Sequence, residues 1–341
     1  MTTIRHLAQL AGVSTATVVR ALRNSPHIKP ETRDKVLELA TLYTYHPRPL
    51  TGQDTATNLI GCVVPRVSSA IFSQVVQGVL EQAFMESLQA IVLETENNVR
   101  HTGIALDVLR EHRVQGILLA PGHVDLLPNT QLMMLWSQGI HLVALDDVPF
   151  EKSVEVDCVE TDFLQLARLS VEYLHHLGHR HIAYIGHVDR GKGITTARGQ
   201  CFREVMHDWK LSTRWFYDAN TYSEHLETLA DMLLADSEPP TAMLVWSDMV
   251  AARLINIFTQ RGWPVPRKMS ILSAGNLPLC DIFTPRITSI EQSFIDMGKR
   301  GAELLFQRIN SGLPPGAYAK ERIHVPARLV VRESCGRPRP G

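Results

Sequence analysis

The chain has 341 residues, enough for about two domains with a small additional module. Hydrophobic residues make up 45% and charged residues 20%, with 21 Gly and 19 Pro, which excludes a collagen-like, low-complexity or wholly disordered chain. The formal net charge of −1 is uninformative until it is divided along the sequence. Residues 1–50 carry seven basic groups (Arg5, Arg20, Arg23, Lys29, Arg33, Lys35, Arg48) against three acids (Glu31, Asp34, Glu38), a balance of +4 that leaves −5 for the remainder. A small basic head on a mildly acidic body points to a polyanion as the partner of the head.

The five cysteines (Cys62, Cys158, Cys201, Cys280, Cys335) are scattered and form no C-x-x-C pair, which argues against a disulfide framework or a zinc ribbon. The N-terminus opens on polar residues with no secretory leader, and no apolar run reaches the roughly 18 residues of a membrane span. The expectation is a soluble, cytoplasmic protein with no membrane contact.

In chain order, Ile4, Leu7, Ala8 and Ala11 recur at helical spacing, and Gly12 ends that helix. Ser14 is placed to cap a second helix by accepting backbone N–H groups two or three residues on. The inner face of that helix holds Ala16 or Thr17, Val18, Ala21 and Leu22. After a turn at Asn24-Ser25-Pro26, Pro30 suits the first position of a third helix, which turns Val36, Leu37, Leu39 and Ala40 inward. Two helices joined by a short Gly-containing turn make a helix-turn-helix, whose second helix can enter a major groove.

The string TIRHLAQLAGVSTATVVRALRNSPHIKPETRDKVLELA over residues 3–40 resembles the DNA-binding head of the lac repressor/galactose repressor family of bacterial transcription regulators. The pattern A-x-x-A-G-V-S-x-x-T-V-x-R-x-L, followed by E-T-R-x-x-V, is long and specific. The resemblance implies that Thr15 and Ala16 read bases, that Arg20 contacts a base or phosphate, and that Ser14 and Thr17 hold phosphates. The chemistry agrees: a hydroxyl serves several base edges, alanine packs on a thymine methyl, and arginine grips guanine with two donors. Two positions depart from the family. Val19 replaces the usual serine and Arg23 the usual asparagine, which exchanges one phosphate contact for another.

In the family the head is followed by a segment like N-A-L-A-R-S-L, which folds into a hinge helix whose leucine wedges into the minor groove. Here the stretch is His46-Pro47-Arg48-Pro49-Leu50-Thr51-Gly52-Gln53. Pro49 and Gly52 oppose a helix interior, so residues 46–58 read as a linker or degenerate hinge, with Leu50 the residue in position to act as the wedge.

From Leu59 onward short apolar runs alternate with helical patterns. Strand candidates are 60–65, 90–94, 116–120, 142–146, 181–186, 242–247 and 270–274; helical stretches include 72–87, 164–177, 202–209, 226–234 and 250–260. This alternation predicts an α/β body with parallel sheets flanked by helices and a ligand site beyond the carboxyl ends of the strands. Four body strings also resemble the family: V-P-x-V-S-S-A-I-F (64–72), L-G-H-R-H-I-A-Y-I-G (177–186), T-P-R-I-T-S-I-E-Q (284–292) and L-V-V-R-E-S (329–334). The resemblance implies a two-lobed, periplasmic-binding-protein-like body behind an N-terminal all-α head at 1–45. One lobe would be 59–177 plus 290–319 and the other 178–289 plus 320–335.

Carried over one at a time, the resemblance makes Ile71 and Phe72 apolar effector contacts, Arg198 the arginine that grips the effector, and Lys192 a nearby polar contact. Tyr222 matches an aromatic that stacks on the ligand. Asp248 matches the aspartate of an N-D pair whose asparagine is here Ser247. At Ser273-Ala274-Gly275-Asn276 the family reads G-F-D-D or G-Y-D-D, so the first aspartate has become Gly275, next to Asn276. Removing a cleft carboxylate while keeping Arg198 and Lys192 makes the local field positive, which favours a sugar acid or sugar phosphate over a neutral sugar.

Two strings could suggest other chemistry. Residues 186–192 spell G-x-x-x-x-G-K after a predicted strand, but a P-loop next needs Ser or Thr and this chain has Gly193. His175 and His179 have i, i+4 spacing, yet Gly178 lies between them and no H-E-x-x-H occurs, so His175, His176, His179, His181 and His187 give no metal site. No nucleophile–base pairing, metal site or cofactor motif emerges, and the chain reads as a regulator rather than an enzyme. The expected function is a ligand-responsive repressor of carbohydrate or sugar-acid genes that binds a near-palindromic DNA operator as a homodimer. The absence of a terminal leucine heptad favours a dimer over a tetramer. The alternative is a small-molecule sensor whose head has lost operator recognition.

Overall fold

The computed structural model describes residues 8, 10–14, 17–18, 21, 28–42, 57–120, 129–146, 155–186, 197–212, 216–218 and 225–338. The chain divides into two compact units, residues 1–56 and 57–341.

In the first unit Ala8, Ala11, Val18, Ala21 and Val36 are buried together, with Val13, Ile28 and Leu39 packed against them. Gly12 takes a left-handed φ of +70°, which lets the chain turn sharply after the first helical segment. Ser14 then caps the next segment: its Oγ accepts the backbone N–H of Thr17 at 3.1 Å, and its carbonyl accepts that of Val18 at 3.0 Å. Helix α1, Pro30–Leu42, begins at the expected proline and adds Val36 to the core.

The second unit holds two six-stranded sheets with the same internal order. The first contains β1 (Leu59–Val64), β2 (Gln89–Glu94), β3 (Gly116–Leu119), β4 (His141–Leu145) and β5 (Asp157–Thr161), in the spatial order β5-β4-β3-β1-β2. The second contains β6 (Ile182–Gly186), β7 (Phe216–Asp218), β8 (Ala242–Val245), β9 (Ser270–Gly275) and β10 (Thr288–Glu291), in the order β10-β9-β8-β6-β7. All these neighbours pair in parallel. Strand β11 (Arg322–Val325) extends the first sheet in parallel on β5, and β12 (Arg328–Val330) closes the second antiparallel on β10.

Helices cover both faces of each sheet, as the apolar character of the central strands requires. On the first sheet, α2 (Ala70–Met85) and α10 (Phe294–Asn310) bury one face, and α3 (Val99–Glu111) and α4 (Asn129–Ser137) the other. On the second, α5 (Phe163–His176) and α6 (Ala197–Asp208) bury one face. Helices α7 (Leu226–Leu234) and α8 (Asp248–Gln260), with the short α9 (Leu279–Ile282), lie on the other.

The chain crosses between lobes after β5, after β10 and after β11. This shifts the expected lobe boundaries. Leu166, Ala167, Val171 and Leu174 of α5 pack on Ile182, Tyr184 and Leu272, so residues 163–176 belong to the second lobe, not to the first as the 59–177 span supposed. Residues 290 and 291 end β10 and also stay in the second lobe, whereas β11 joins the first, so that of the 320–335 span only the part from Ala327 onward, β12 included, packs with the second. The reason is pairing: each return crossing adds one edge strand to the sheet it has reached. At the crossings Thr161 Oγ1 donates to Gln292 Oε1 at 3.3 Å, the Asp162 N–H to the Val325 carbonyl at 3.1 Å, and the Ala327 N–H to Gln165 Oε1 at 2.7 Å.

Candidate functional site

Residues that follow strands of the two lobes meet one another, at the position beyond the carboxyl ends of the strands where open α/β sheets hold ligands. There Arg198, from the first turn of α6 in the second lobe, donates from Nη2 to Asp146 Oδ2, which follows β4 of the first lobe. The pair is largely shielded, with side-chain exposures of 15% for Arg198 and 22% for Asp146. The guanidinium carbon lies 4.5 Å from the Trp246 ring centroid and 4.9 Å from that of Phe163. Those two rings meet edge to face at 5.9 Å and 68°. Both belong to the second lobe, one at the start of α5 and one just past β8, so Arg198 is held by cation–π contacts from its own lobe and by a carboxylate from the opposite one.

The positive field expected from loss of a carboxylate at Gly275 is therefore met by Asp146 across the cleft. Gly275 itself has a local reason. Its φ is +139°, and a Cβ there would lie 2.5 Å from Asp248 Oδ2. A side chain at 275 would require the Asp248 carboxylate to shift.

Asp248 is only 1% exposed, and its carboxylate is engaged inside the second lobe. Ser273 Oγ and Ser289 Oγ donate to Oδ1, the latter at 2.8 Å, and the Leu277 N–H donates to Oδ2 at 2.8 Å. It ties the start of α8 to the ends of β9 and β10 rather than presenting an acceptor to an effector. Ser247, half-exposed, precedes it at the N-cap of α8. Asn276 has a left-handed φ of 58°, and its N–H donates to Ser289 Oγ at 3.0 Å. Asp146 has φ 67° at the equivalent position after β4. Asp146 Oδ1 and Asn276 Oδ1 are buried without a hydrogen-bond partner among the described residues. Ile71 and Phe72, in the first turn of α2, are half-buried against the first-lobe core.

Lys192 and Tyr222 lie outside the described residues, as do Thr15, Ala16, Arg20, Arg23 and Leu50 and most of the G-x-x-x-x-G-K string. In the head, Ser14 and Thr17 sit at the start of the second helical segment with their hydroxyls 2.9 Å apart. Ser14 is exposed and Thr17 half-exposed. Among the described residues, no cluster of three or more His, Cys, Asp or Glu could hold a metal ion. His179 is instead a structural residue: its Nδ1 lies 2.9 Å from Thr241 Oγ1 and its Nε2 donates to the Gly336 carbonyl at 2.9 Å. Burial holds its pKa below the ordinary imidazole range, against the opposing pull of the Gly336 carbonyl. Asp146, Phe163 and Trp246 were not singled out in the sequence. The available signal was an acidic and an aromatic residue at the carboxyl ends of the 142–146 and 242–247 strand candidates.

The sequence matches the bacterial regulatory proteins of the lacI family over residues 3–48, and the periplasmic binding protein-like domain over residues 171–335. The chain carries a lacI-family head and a periplasmic binding protein-like domain. It is a DNA-binding regulator of transcription, in line with the expectation of a non-enzyme. The "HTH-type transcriptional repressor PurR" of Vibrio cholerae serotype O1 is 29% identical over 314 residues, covering 91% of this chain and 92% of that protein. The protein of the same name from Mannheimia succiniciproducens is 25% identical over 338 residues, 98% of each. The fold agrees with that of the lac repressor dimer bound to operator and the anti-inducer ONPF, with TM-score 0.78, 22% identity and coverage of 98% of both chains. It also agrees with the transcriptional regulator CelR–cellobiose complex, with TM-score 0.71, 22% identity and coverage of 98% of this chain and 100% of that one. Among the described residues no helix is long and apolar enough to cross a membrane.

Proposed function

We propose that this regulator is a cytoplasmic repressor of the lacI family that binds a near-palindromic operator as a homodimer and responds to a small effector held between the lobes of its body. The observation that carries the DNA-binding part is the capped second helical segment of the basic head. Ser14 closes its first turn, and Val18 and Ala21 anchor its inner side; by the resemblance of the motif, Thr15, Ala16 and Arg20 read bases in a major groove while Ser14, Thr17 and Arg23 meet phosphates. Dimerisation is supported by large apolar side chains left in water: Phe84 at 82% and Met85 at 76% exposure beside Leu80 in the first lobe, and Ile282 at 83% in the second. The effector is a small molecule bearing a carboxylate or phosphate, such as a sugar acid or sugar phosphate. Arg198, held against two aromatic rings of its own lobe, supplies the cation.

A random-sequence DNA selection with the purified full chain tests this function. Enrichment of a twofold-symmetric sequence, lost with Arg20→Ala while the body still melts cooperatively, is the expected result. No enrichment from a folded protein would sink the operator reading and leave a small-molecule sensor in its place.

A further inference from the structure

We infer that Asp146 is a built-in rival of the effector: in the ligand-free chain it occupies the guanidinium that an anionic ligand takes, and binding requires its displacement. The inference rests on the cleft being the effector site and goes beyond it by assigning Asp146 the role of competitor rather than ligand. The asymmetry of the pair carries the argument. Arg198 is held by contacts to Trp246 and Phe163 at 4.5 and 4.9 Å, all three within the second lobe, so the cation stays where it is when the lobes move. Asp146 comes from the other lobe and is poorly satisfied. One oxygen receives Arg198, while Oδ1 is buried with no donor among the described residues. A carboxylate with one oxygen unserved is a weaker partner than a free carboxylate that can lie in the guanidinium plane and take two parallel N–H bonds. Displaced, Asp146 regains hydration on both oxygens. That outcome needs the cleft to widen, so an anionic ligand binds the separated lobes more tightly than the closed ones, the differential affinity any effector must have.

The test uses the full chain with acetate and inorganic phosphate as anionic probes and glucose as the uncharged one. Binding is followed by tryptophan fluorescence, with Trp246→Phe identifying the reporting ring. Asp146→Asn removes the rival charge at nearly constant shape and should lower the half-saturating acetate concentration by a few-fold, up to about fivefold, the most that a partly exposed ion pair can withhold. Asp146→Glu keeps the charge and should stay near wild type, and Arg198→Gln should abolish the response. Far-UV melting curves accompany each variant, and Asp146→Ser takes the place of Asp146→Asn should the latter not fold. Unchanged or weakened acetate binding in Asp146→Asn overturns the inference, as does the absence of any anion response. Saturable glucose binding that Asp146→Asn weakens would also overturn it, making Asp146 a ligand for a neutral sugar while the effector cleft itself stands.

Discussion

Helices α2 and α10 cross at a pair of glycines whose replacement has a calculable cost. A Cβ on Gly78 would lie 2.0 Å from the Ile295 carbonyl oxygen, and one on Gly298 would lie 2.1 Å from that of Val75. An ordinary carbon–oxygen contact is roughly 3.3 Å, so either alanine forces the helices apart by more than about 1 Å. The obstacle is backbone, and no rotamer change relieves it. Overpacking of this kind costs about 3 kcal/mol, the upper part of the usual range. Against it stands a gain of about 1 kcal/mol in helix propensity for Gly→Ala, leaving a net loss of about 2 kcal/mol. The two clashes are reciprocal, since Gly78 meets residues 295–299 and Gly298 meets 75–79, so one separation relieves both. The double variant should therefore lose about as much as either single one, well short of their sum. Urea denaturation of the full chain, followed by far-UV circular dichroism, reads this as a lowered midpoint at unchanged slope. Gly78→Ala at or above wild-type stability would refute the steric reasoning, and strictly additive losses would refute the shared crossing.

Three further outcomes follow from buried polar groups. Asp157 is wholly buried, and Arg308 Nε and Nη2 donate to its two oxygens at 3.0 Å each. Among the described residues Arg308→Ala leaves that carboxylate with only the Glu321 N–H, and it should cost about 3 kcal/mol in the same urea assay, a loss below about 1 kcal/mol contradicting the pairing. Burial holds His179 and His141 below the ordinary imidazole range, so the unfolded chain takes up protons first. Their contribution is complete above about pH 6.5 and is lost as the pH falls through the lower folded values, and the slope of urea midpoint against pH should shrink in His179→Gln. An identical slope in the variant would remove His179 from the account. Burial also pushes the Cys62 and Cys280 thiols up to about 12, so both should resist maleimide at pH 8 until urea unfolds the chain; rapid native labelling of either would contradict their placement.

The strands legible in the sequence were those whose residues are apolar because both faces of the sheet are covered. The candidates at 60–65, 90–94, 116–120, 142–146, 181–186, 242–247 and 270–274 fall on β1, β2, β3, β4, β6, β8 and β9. Strand β5 escaped because Asp-Cys-Val-Glu-Thr looks solvated. Its Asp157 is neutralised by Arg308, far along the chain, and its Glu160 by Arg322 at 2.6 Å, partners no local pattern reveals. Strands β11 and β12 are short edges bearing Arg322 and Arg328, and they moved the lobe boundaries because pairing across a crossing is invisible in periodicity. The cleft was half legible. Resemblance pointed to Arg198, but its carboxylate partner lies in the opposite lobe, and Asp248, expected as a ligand contact, is buried with three donors from its own lobe.

The internal repetition of the body says where a ligand signal is absorbed. The two sheets share an order, so the residue after β4 and the residue after β9 are equivalent, and both Asp146 and Asn276 take left-handed backbone there. Each lobe is built on two buried clusters that close packing makes stiff. Between the lobes, the described polar links are the Arg198–Asp146 pair and the bonds at Thr161–Gln292, Asp162–Val325 and Ala327–Gln165. The last three lie at the chain crossings and can survive a rotation about them. The ion pair stands away from the crossings and, being partly hydrated, contributes about 1 kcal/mol or less. Disturbing either lobe interior by even one methylene costs about as much or more. The compliant coordinate is therefore rotation about the three crossings, with the Arg198–Asp146 contact as the element that a competing anion removes.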